Sequence, residues 1–448
     1  MRLFELITIL LLIALLIGRF YAIPSNTKKV ILTGSAIALL LHISLEGIRW
    51  QLTIVYLLSV IVIINYFLKV KIRQKWLRLS TTIFSLILIL ISSIIGYLVP
   101  VFKLPTIKGD YLVGTTTHVI DTKSENTGRI DLKAWYPIGE AGTKKDVYCE
   151  NPITKLDDLM GMPGFLFSHL TLVQTSGYRD VSNNSISTKF PLVIYAHGAA
   201  STNIDNTALL QEIASHGYIV ISVDFDFSFE KYELSLQEAS ILDVRAQQEF
   251  VAKLMTRVVP VQSAKIIAVI EQLKNENLAF VTTIDFNQIA LIGHSLGGTT
   301  CANIDKNRLK PQAIINIDGP MPANATSVIS CPFLYLSSYS PDLPNKDLEE
   351  KGLPDADFYR QVKKYELENV SNFFEGDDSI RHWVRFANAG HIDFTDLPYM
   401  IPMMASNGYE KGKGHYLKCE VILHFLNCYL KNEVTWSDSN EYSMNWLK

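Results

Sequence analysis

The chain has 448 residues, 48% hydrophobic and 19% charged, with a formal net charge of −3. That length allows more than one domain, and the near-neutral balance without a long basic run argues against a nucleic-acid partner. Five cysteines, at 149, 301, 331, 419 and 428, are odd in number and include no Cys-x-x-Cys. Neither a disulfide framework nor a zinc site is therefore expected.

Residues 1 to about 102 are dominated by Leu, Ile and Val, and beyond Lys103 charges are spread throughout. Four apolar stretches fill the first part: Leu3–Gly18, Val30–Leu45, Leu52–Leu68 and Ile83–Val101. A helix crosses a bilayer core with about 17–25 apolar residues. The fourth stretch meets this fully, the first and third adequately, and the second least well, with Gly34, Ser35 and His42 inside it. Almost no polar face interrupts them, as buried soluble helices would require. An all-α transmembrane region of about four helices (1–102) is expected, followed by a catalytic domain (103–448). Cations cluster in the first link (Arg19, Lys28, Lys29) and the third (Lys69, Lys71, Arg73, Lys75, Arg78), whereas the second has only Arg49 beside Glu46. Basic links stay cytoplasmic. The expectation is a multi-pass protein of the cell membrane with its large domain on the extracytoplasmic side.

Residues 103–128 read as a linker entering a domain edge. Arg129–Tyr136 alternates apolar and polar residues like a half-buried strand, and Pro137 to about Thr188 is irregular. Phe190–Ala196, Tyr218–Asp224, Gln288–Ile292, Ala313–Ile317 and Phe333–Leu336 are short apolar runs of the kind covered on both faces of a parallel sheet. Trp383–Ala387 adds a further strand. Between them Leu209–His216 and Val261–Leu273 have helical spacing, and Tyr416–Leu430 is an apolar closing helix. This alternation predicts an α/β fold, a mostly parallel sheet with helices on both faces. Ligands of such sheets bind beyond the strand C-termini.

The most informative stretch is Gln288–Ala302, QIALIGHSLGGTTCA. It places Gly293-x-Ser295-x-Gly297 between a strand and a helix. A serine on that sharp turn holds its hydroxyl clear of the backbone, and the flanking glycines remove side chains that would collide there. Ser295 is the candidate nucleophile. A hydroxyl needs a base, and the base needs an acid to orient it. His391, in NAGHIDFTD after the last strand, is the candidate base. His382 precedes that strand, and His294, although adjacent to Ser295, is expected to point its ring away from the nucleophile's partner. Asp318 directly follows its strand and is preferred as the acid over Asp342, in SYSPD. Asp393 and Asp396 are expected to order the histidine loop. The oxyanion donors are assigned to the N–H groups of Leu296, after the nucleophile, and Ala199, in the loop His197-Gly198-Ala199-Ala200. His197 is expected to brace that loop. No metal or cofactor is called for.

HGAAS after PLVIYA, ASHGYIVISVD, GHSLGG, INIDGPM and GHIDFTD, in that order, together resemble the platelet-activating-factor acetylhydrolase family, the plasma and intracellular type II group of α/β-hydrolases. The opening DYLVGTTTHVIDT…IDLKAWYP resembles that family's start. The likeness covers roughly residues 110–430. It implies an α/β-hydrolase fold, a catalytic set of Ser295, Asp318 and His391, oxyanion donors at Ala199 and Leu296, and calcium-independent hydrolysis of short or oxidised acyl groups from phospholipids. A longer polar insertion at about 343–380 and the apolar N-terminal region depart from the family pattern. The sequence reading is thus a membrane-anchored serine esterase acting on a lipid or other apolar ester. The alternatives are a catalytically silent binding module, or a thioesterase, peptidase or acyltransferase using the same residues.

Overall fold

The computed structural model describes residues 2–68, 72–122, 127–152, 163–182, 186–225, 232, 234, 244–321, 329–338, 370–375, 379–386, 388–407 and 409–436. The chain divides into two compact units. One comprises Met1–Lys103, Val147–Gln174 and Tyr399–Met403; the other comprises Leu104–Asp146, Thr175–Pro398 and Met404–Lys448.

The first unit is built on four helices, α1 (Leu3–Ile17), α2 (Ser25–Leu41), α3 (Thr53–Phe67) and α4 (Lys75–Leu98). With their one-turn extensions all four are long and apolar enough to cross a membrane. The sequence reading starts the fourth stretch at Ile83, but α4 begins at Lys75, because Lys75, Trp76 and Arg78 continue the backbone helix without entering the apolar run. The second stretch is likewise helical from Ser25, with Gly34 and Ser35 tolerated inside it. Large apolar side chains such as Leu3, Leu10, Val30, Leu57 and Phe84 face outward. The interior holds an apolar core that includes Leu12, Leu16, Leu52 and Val55, and a cluster of polar groups is buried where the start of α1, the end of α2, the start of α3 and the end of α4 meet. Glu5 pairs with Arg2 and Arg49, each at 2.8 Å. Arg49 also donates to the Gly96 carbonyl at 3.0 Å. His42 bonds Glu46 at 2.9 Å and Tyr56 at 2.7 Å. Within the same unit, Trp50 donates its indole N–H to the Leu166 carbonyl.

The second unit holds a ten-stranded sheet: β1 (Leu112–Asp121), β2 (Arg129–Ile138), β3 (Lys145–Val147), β4 (Gln174–Arg179), β5 (Phe190–Ala196), β6 (Ile219–Val223), β7 (Ile284–His294), β8 (Ala313–Ile317), β9 (Phe333–Ser338) and β10 (Arg381–Phe386). Their spatial order is β10-β9-β8-β7-β5-β6-β2-β1-β4-β3. The run from β10 to β6 is parallel, and β2 closes it antiparallel against β6. Helices α5 (Thr207–Ser215), α6 (Val244–Lys253), α7 (Val259–Leu273), α8 (Leu296–Ala302), α9 (Leu397–Met400) and α10 (Lys411–Leu426) intervene or follow. Every residue of β5, β6 and β8 is buried, as strands covered on both faces must be. Two apolar cores follow. One gathers Ile194, Leu291 and Ile266; the other gathers Val193, Ile292 and Val421. The mostly parallel α/β fold agrees with the sequence reading. That reading missed β1, a ten-residue strand inside the expected linker. Its core-facing alternation is broken by Gly114 and three consecutive threonines, Thr115 to Thr117, so periodicity alone is silent.

Candidate active site

Strand register brings the site together. Ala196 of β5 pairs with Gly293 of β7, and His294 pairs with Ile317 of β8. Residues just beyond these pairs, His197–Ala200, Ser295 and Asp318, therefore leave the same sheet edge side by side. β10, parallel to β9, delivers the His391 loop to that edge.

Ser295 sits at φ 54°, ψ −125°, immediately before α8. Its N–H donates to the Ile317 carbonyl at 2.8 Å, tying the bend to the end of β8. The flanking glycines have a steric cause. A Cβ on Gly293 would collide with the backbone of Gly297 and Gly298, and one on Gly297 with the backbone of Ala196 and His197. Three site residues that are not glycine have positive φ, namely Ala200, Ser295 and Asp318, and a fourth, Asn388, lies three positions before His391. Such strain is held where the surroundings over-determine it, and it concentrates at functional sites.

The carboxylate of Asp318 divides its acceptors. Oδ1 takes the Ser338 N–H at 2.7 Å and the Ser338 hydroxyl at 3.0 Å. Oδ2 takes Nδ1–H of His391 at 2.7 Å. Burial works to raise the Asp318 carboxyl, but the hydrogen bond and charge of His391, with the two bonds from Ser338, hold it below its ordinary value. With Nδ1 donating, His391 keeps Nε2 as its basic nitrogen. The His391 side chain is 48% exposed, so a substrate has access to it. Asp318 and His391 are thus joined directly. The Ser295 hydroxyl makes no hydrogen bond to His391, a contact that commonly tightens only with substrate bound.

His294 departs from expectation. Its ring does not turn away but lies 4.7 Å from the His391 ring, centroid to centroid. Its Nε2 lies 3.1 Å from the His391 carbonyl, so Nε2–H donates there. Burial, then the neighbouring His391, pull His294 down to about 3, so it is a neutral brace at ordinary pH. Alternation along β7 carries no sign of this, because the contact depends on where a loop nearly a hundred residues later is laid down.

On the other flank, His197 donates Nδ1–H to the Gly198 carbonyl at 2.8 Å and accepts the Phe225 N–H at 3.1 Å. It braces its loop. A Cβ on Gly198 would lie 3.2 Å from that of Ser295, so this loop backs onto Ser295. Ala199 and Leu296 belong to one apolar cluster with Phe250, Leu254, Met255 and Val259. Asp393 accepts the Gly390 N–H at 2.7 Å, and Asp396 accepts the Ala208 N–H at 3.2 Å, so both order the loop. His382 lies buried on β10, bonded to Tyr429 and stacked on Trp436, and takes no part in the site. Asp342 lies outside the described residues.

Among the described residues one group has metal-ligand types in reach of each other: Glu5, His42 and Glu46, with ligand atoms within 4.8 Å. Both ring nitrogens of His42 are engaged, and Glu5 is held by two arginines. Two cations already supply the positive charge that a metal would bring, so this group fits an ion-paired knot.

Residues 98–228 match the family described as platelet-activating factor acetylhydrolase, isoform II, and residues 181–334 match the chlorophyllase family. The platelet-activating factor acetylhydrolase of Bos taurus is 21% identical over 294 residues, which cover 57% of this chain and 65% of that protein. The enzyme of the same name from Canis lupus familiaris is 23% identical over 228 residues, covering 44% and 51%. The alignments therefore span about half to two thirds of these relatives' lengths. The solved structure of a ferulic acid esterase from Streptomyces cinnamoneus superposes with a TM-score of 0.54 at 18% identity, over 75% of this chain and 95% of that one, a likeness of fold.

Proposed function

We propose that this chain, a distant relative of the platelet-activating factor acetylhydrolases, is a serine carboxylic-ester hydrolase anchored in a membrane by its four apolar helices. The observation that carries the reading is the 2.7 Å Asp318–His391 bond on the same sheet edge as the strained Ser295 turn. In the proposed reaction Nε2 of His391 takes the Ser295 proton as Oγ attacks the ester carbonyl. The N–H groups of Leu296 and Ala199 receive the oxyanion. His391 then gives its proton to the departing alkoxide, which leaves as the alcohol, and an acyl-serine remains. A water loses its proton to the same nitrogen and attacks the acyl group. The acid departs, and the proton returns to Ser295. Asp318 keeps the imidazole in the Nδ1–H tautomer and offsets its transient charge.

A lipid or short-acyl ester is the proposed substrate. The apolar surroundings of Ala199 and Leu296 and the names of the two mammalian relatives support it. The basic links between the first and second and between the third and fourth helices support a reading with the hydrolase on the extracytoplasmic side of the cell membrane.

The test is labelling with a fluorophosphonate, comparing the native chain with Ser295→Ala, followed by p-nitrophenyl esters of rising acyl length. Labelling that depends on Ser295, with turnover that falls on the order of 10⁴-fold or more in the variant, is expected. A folded native chain that takes no label would overturn the reading. Cysteines placed one by one from Lys69 to Arg78 test sidedness; they are expected to resist a membrane-impermeant thiol reagent applied outside the cell.

A further inference from the structure

Lys418 stands in the closing helix α10, within the apolar run LKCEVILHFL. A lysine there would ordinarily reach solvent, yet this one is 2% exposed. Its ammonium donates to the carbonyl of Phe394 at 2.7 Å and to Oδ1 of Asn206 at 3.0 Å. These partners are almost two hundred positions apart, and each ends a catalytic segment. Phe394 closes the single helical turn that begins at His391. Asn206 ends the loop that leaves β5 and carries Ala199, and the bonding continues back along that loop. Asn206 donates to the Tyr195 hydroxyl at 2.7 Å, Tyr195 donates to Asp205 at 2.8 Å, and Ser201 donates to the other Asp205 oxygen at 2.6 Å. The N–H of Asp396, just past the histidine turn, returns to the Asp205 carbonyl at 2.7 Å.

We propose that Lys418 is a positioning residue that sets the His391 turn and the Ala199 loop in register with one another. The inference rests on the ester-hydrolase reading above, in which the His391 ring and the Ala199 N–H act on one carbonyl. An apolar side chain of similar length would fill the same space, and replacing a buried charge in that way is often neutral or stabilising. The ammonium offers something a hydrocarbon does not: two directed bonds that fix a distance between two loops. Catalysis is sensitive to such distances, since a displacement of about 1 Å can lower a rate about 100-fold.

The experiment measures kcat and KM per active site in Lys418→Met and Asn206→Ala, with functional sites counted by fluorophosphonate titration and the melting temperature recorded alongside. Asn206→Ala keeps the ammonium and its bond to Phe394 while cutting the link to the Ala199 loop, so it decides the matter if Lys418→Met fails to fold. The expected result is a fall of about 10- to 100-fold in kcat per titrated site, with KM within about threefold. A lower melting temperature with kcat per titrated site unchanged would assign Lys418 to stability alone and overturn the proposal. A native chain that cannot be titrated at all would overturn the hydrolase reading first, and this inference with it.

Discussion

The two units solve opposite solvation problems. In the helical unit Leu3, Leu10, Val30 and Phe84 point outward while Glu5, His42, Arg49 and Ser92 are buried. In the sheet unit the apolar side chains are inside: β5, β6 and β8 are buried throughout. Where water surrounds a fold, apolar burial drives assembly. Where lipid surrounds it, apolar surface offers little drive, and helices associate through packing, small residues and hydrogen bonds. The apolar outer face of the first unit suits an apolar surround, which is the physical ground for proposing membrane insertion. The sheet unit also buries charge, at Lys133 and Asp146, which pair at 2.7 Å, and near the Ser295 edge, where Asp318, Asp393, Asp396 and Lys418 are engaged by directed bonds.

The largest effect is expected at Asp318, the proposed catalytic acid of the sheet unit. Asp318→Asn preserves shape but favours the wrong tautomer of His391. If the proposed triad operates, turnover per titrated site should fall on the order of 10⁴-fold, with little change in folding. Unaltered turnover would make Asp318 a structural carboxylate like those buried in the helices.

Next comes the charge knot of the helical unit. Arg49→Leu leaves Glu5 with only Arg2 and frees the Gly96 carbonyl. Breaking one partner of a buried pair loses about 3–5 kcal/mol, so the melting temperature of detergent-solubilised protein should drop by about 10 °C. Turnover at low temperature should hold.

Acid sharpens the contrast from the other side. Burial brings His294 and His415, both in the sheet unit, down to about 3. An unfolded histidine accepts a proton near pH 6.5, whereas these folded ones refuse it until about pH 3. Protons are therefore taken up on unfolding throughout that window, and stability declines as pH falls from about 6.5 towards 3. Each group contributes at most about 1.4 kcal/mol per pH unit. Denaturant midpoints measured from pH 7 to 5 should show the decline, and His415→Phe should flatten it.

The smallest effect is Ser92→Ala, which removes a hydroxyl bond to the Gln51 carbonyl between helices. Such bonds average about 0.6 kcal/mol in membrane bundles. A shift in melting temperature near the limit of measurement is expected.

What could be read in the sequence follows the same division. Buried parallel strands announce themselves as apolar runs, so β5 to β9 were visible, and Ser295 was visible because its glycines answer to local steric demands. β1 was not, since an edge-side strand rich in threonine has no strong pattern. His294 and Lys418 were invisible for a different reason. Their partners, the His391 carbonyl and Phe394, are brought to them by tertiary structure, and no local spacing encodes that meeting.

The chain does not part cleanly at residue 103. After β1 and β2 it revisits the helical unit from Val147 to Gln174, and again from Tyr399 to Met403. Tyr148, Cys149, Leu170 and Val173, all in the first of these returns, are buried. Trimming away the first hundred residues would therefore remove only part of the compact unit to which those side chains belong. Protein engineers should treat the helical unit as discontinuous in sequence, with the two returning segments belonging to it.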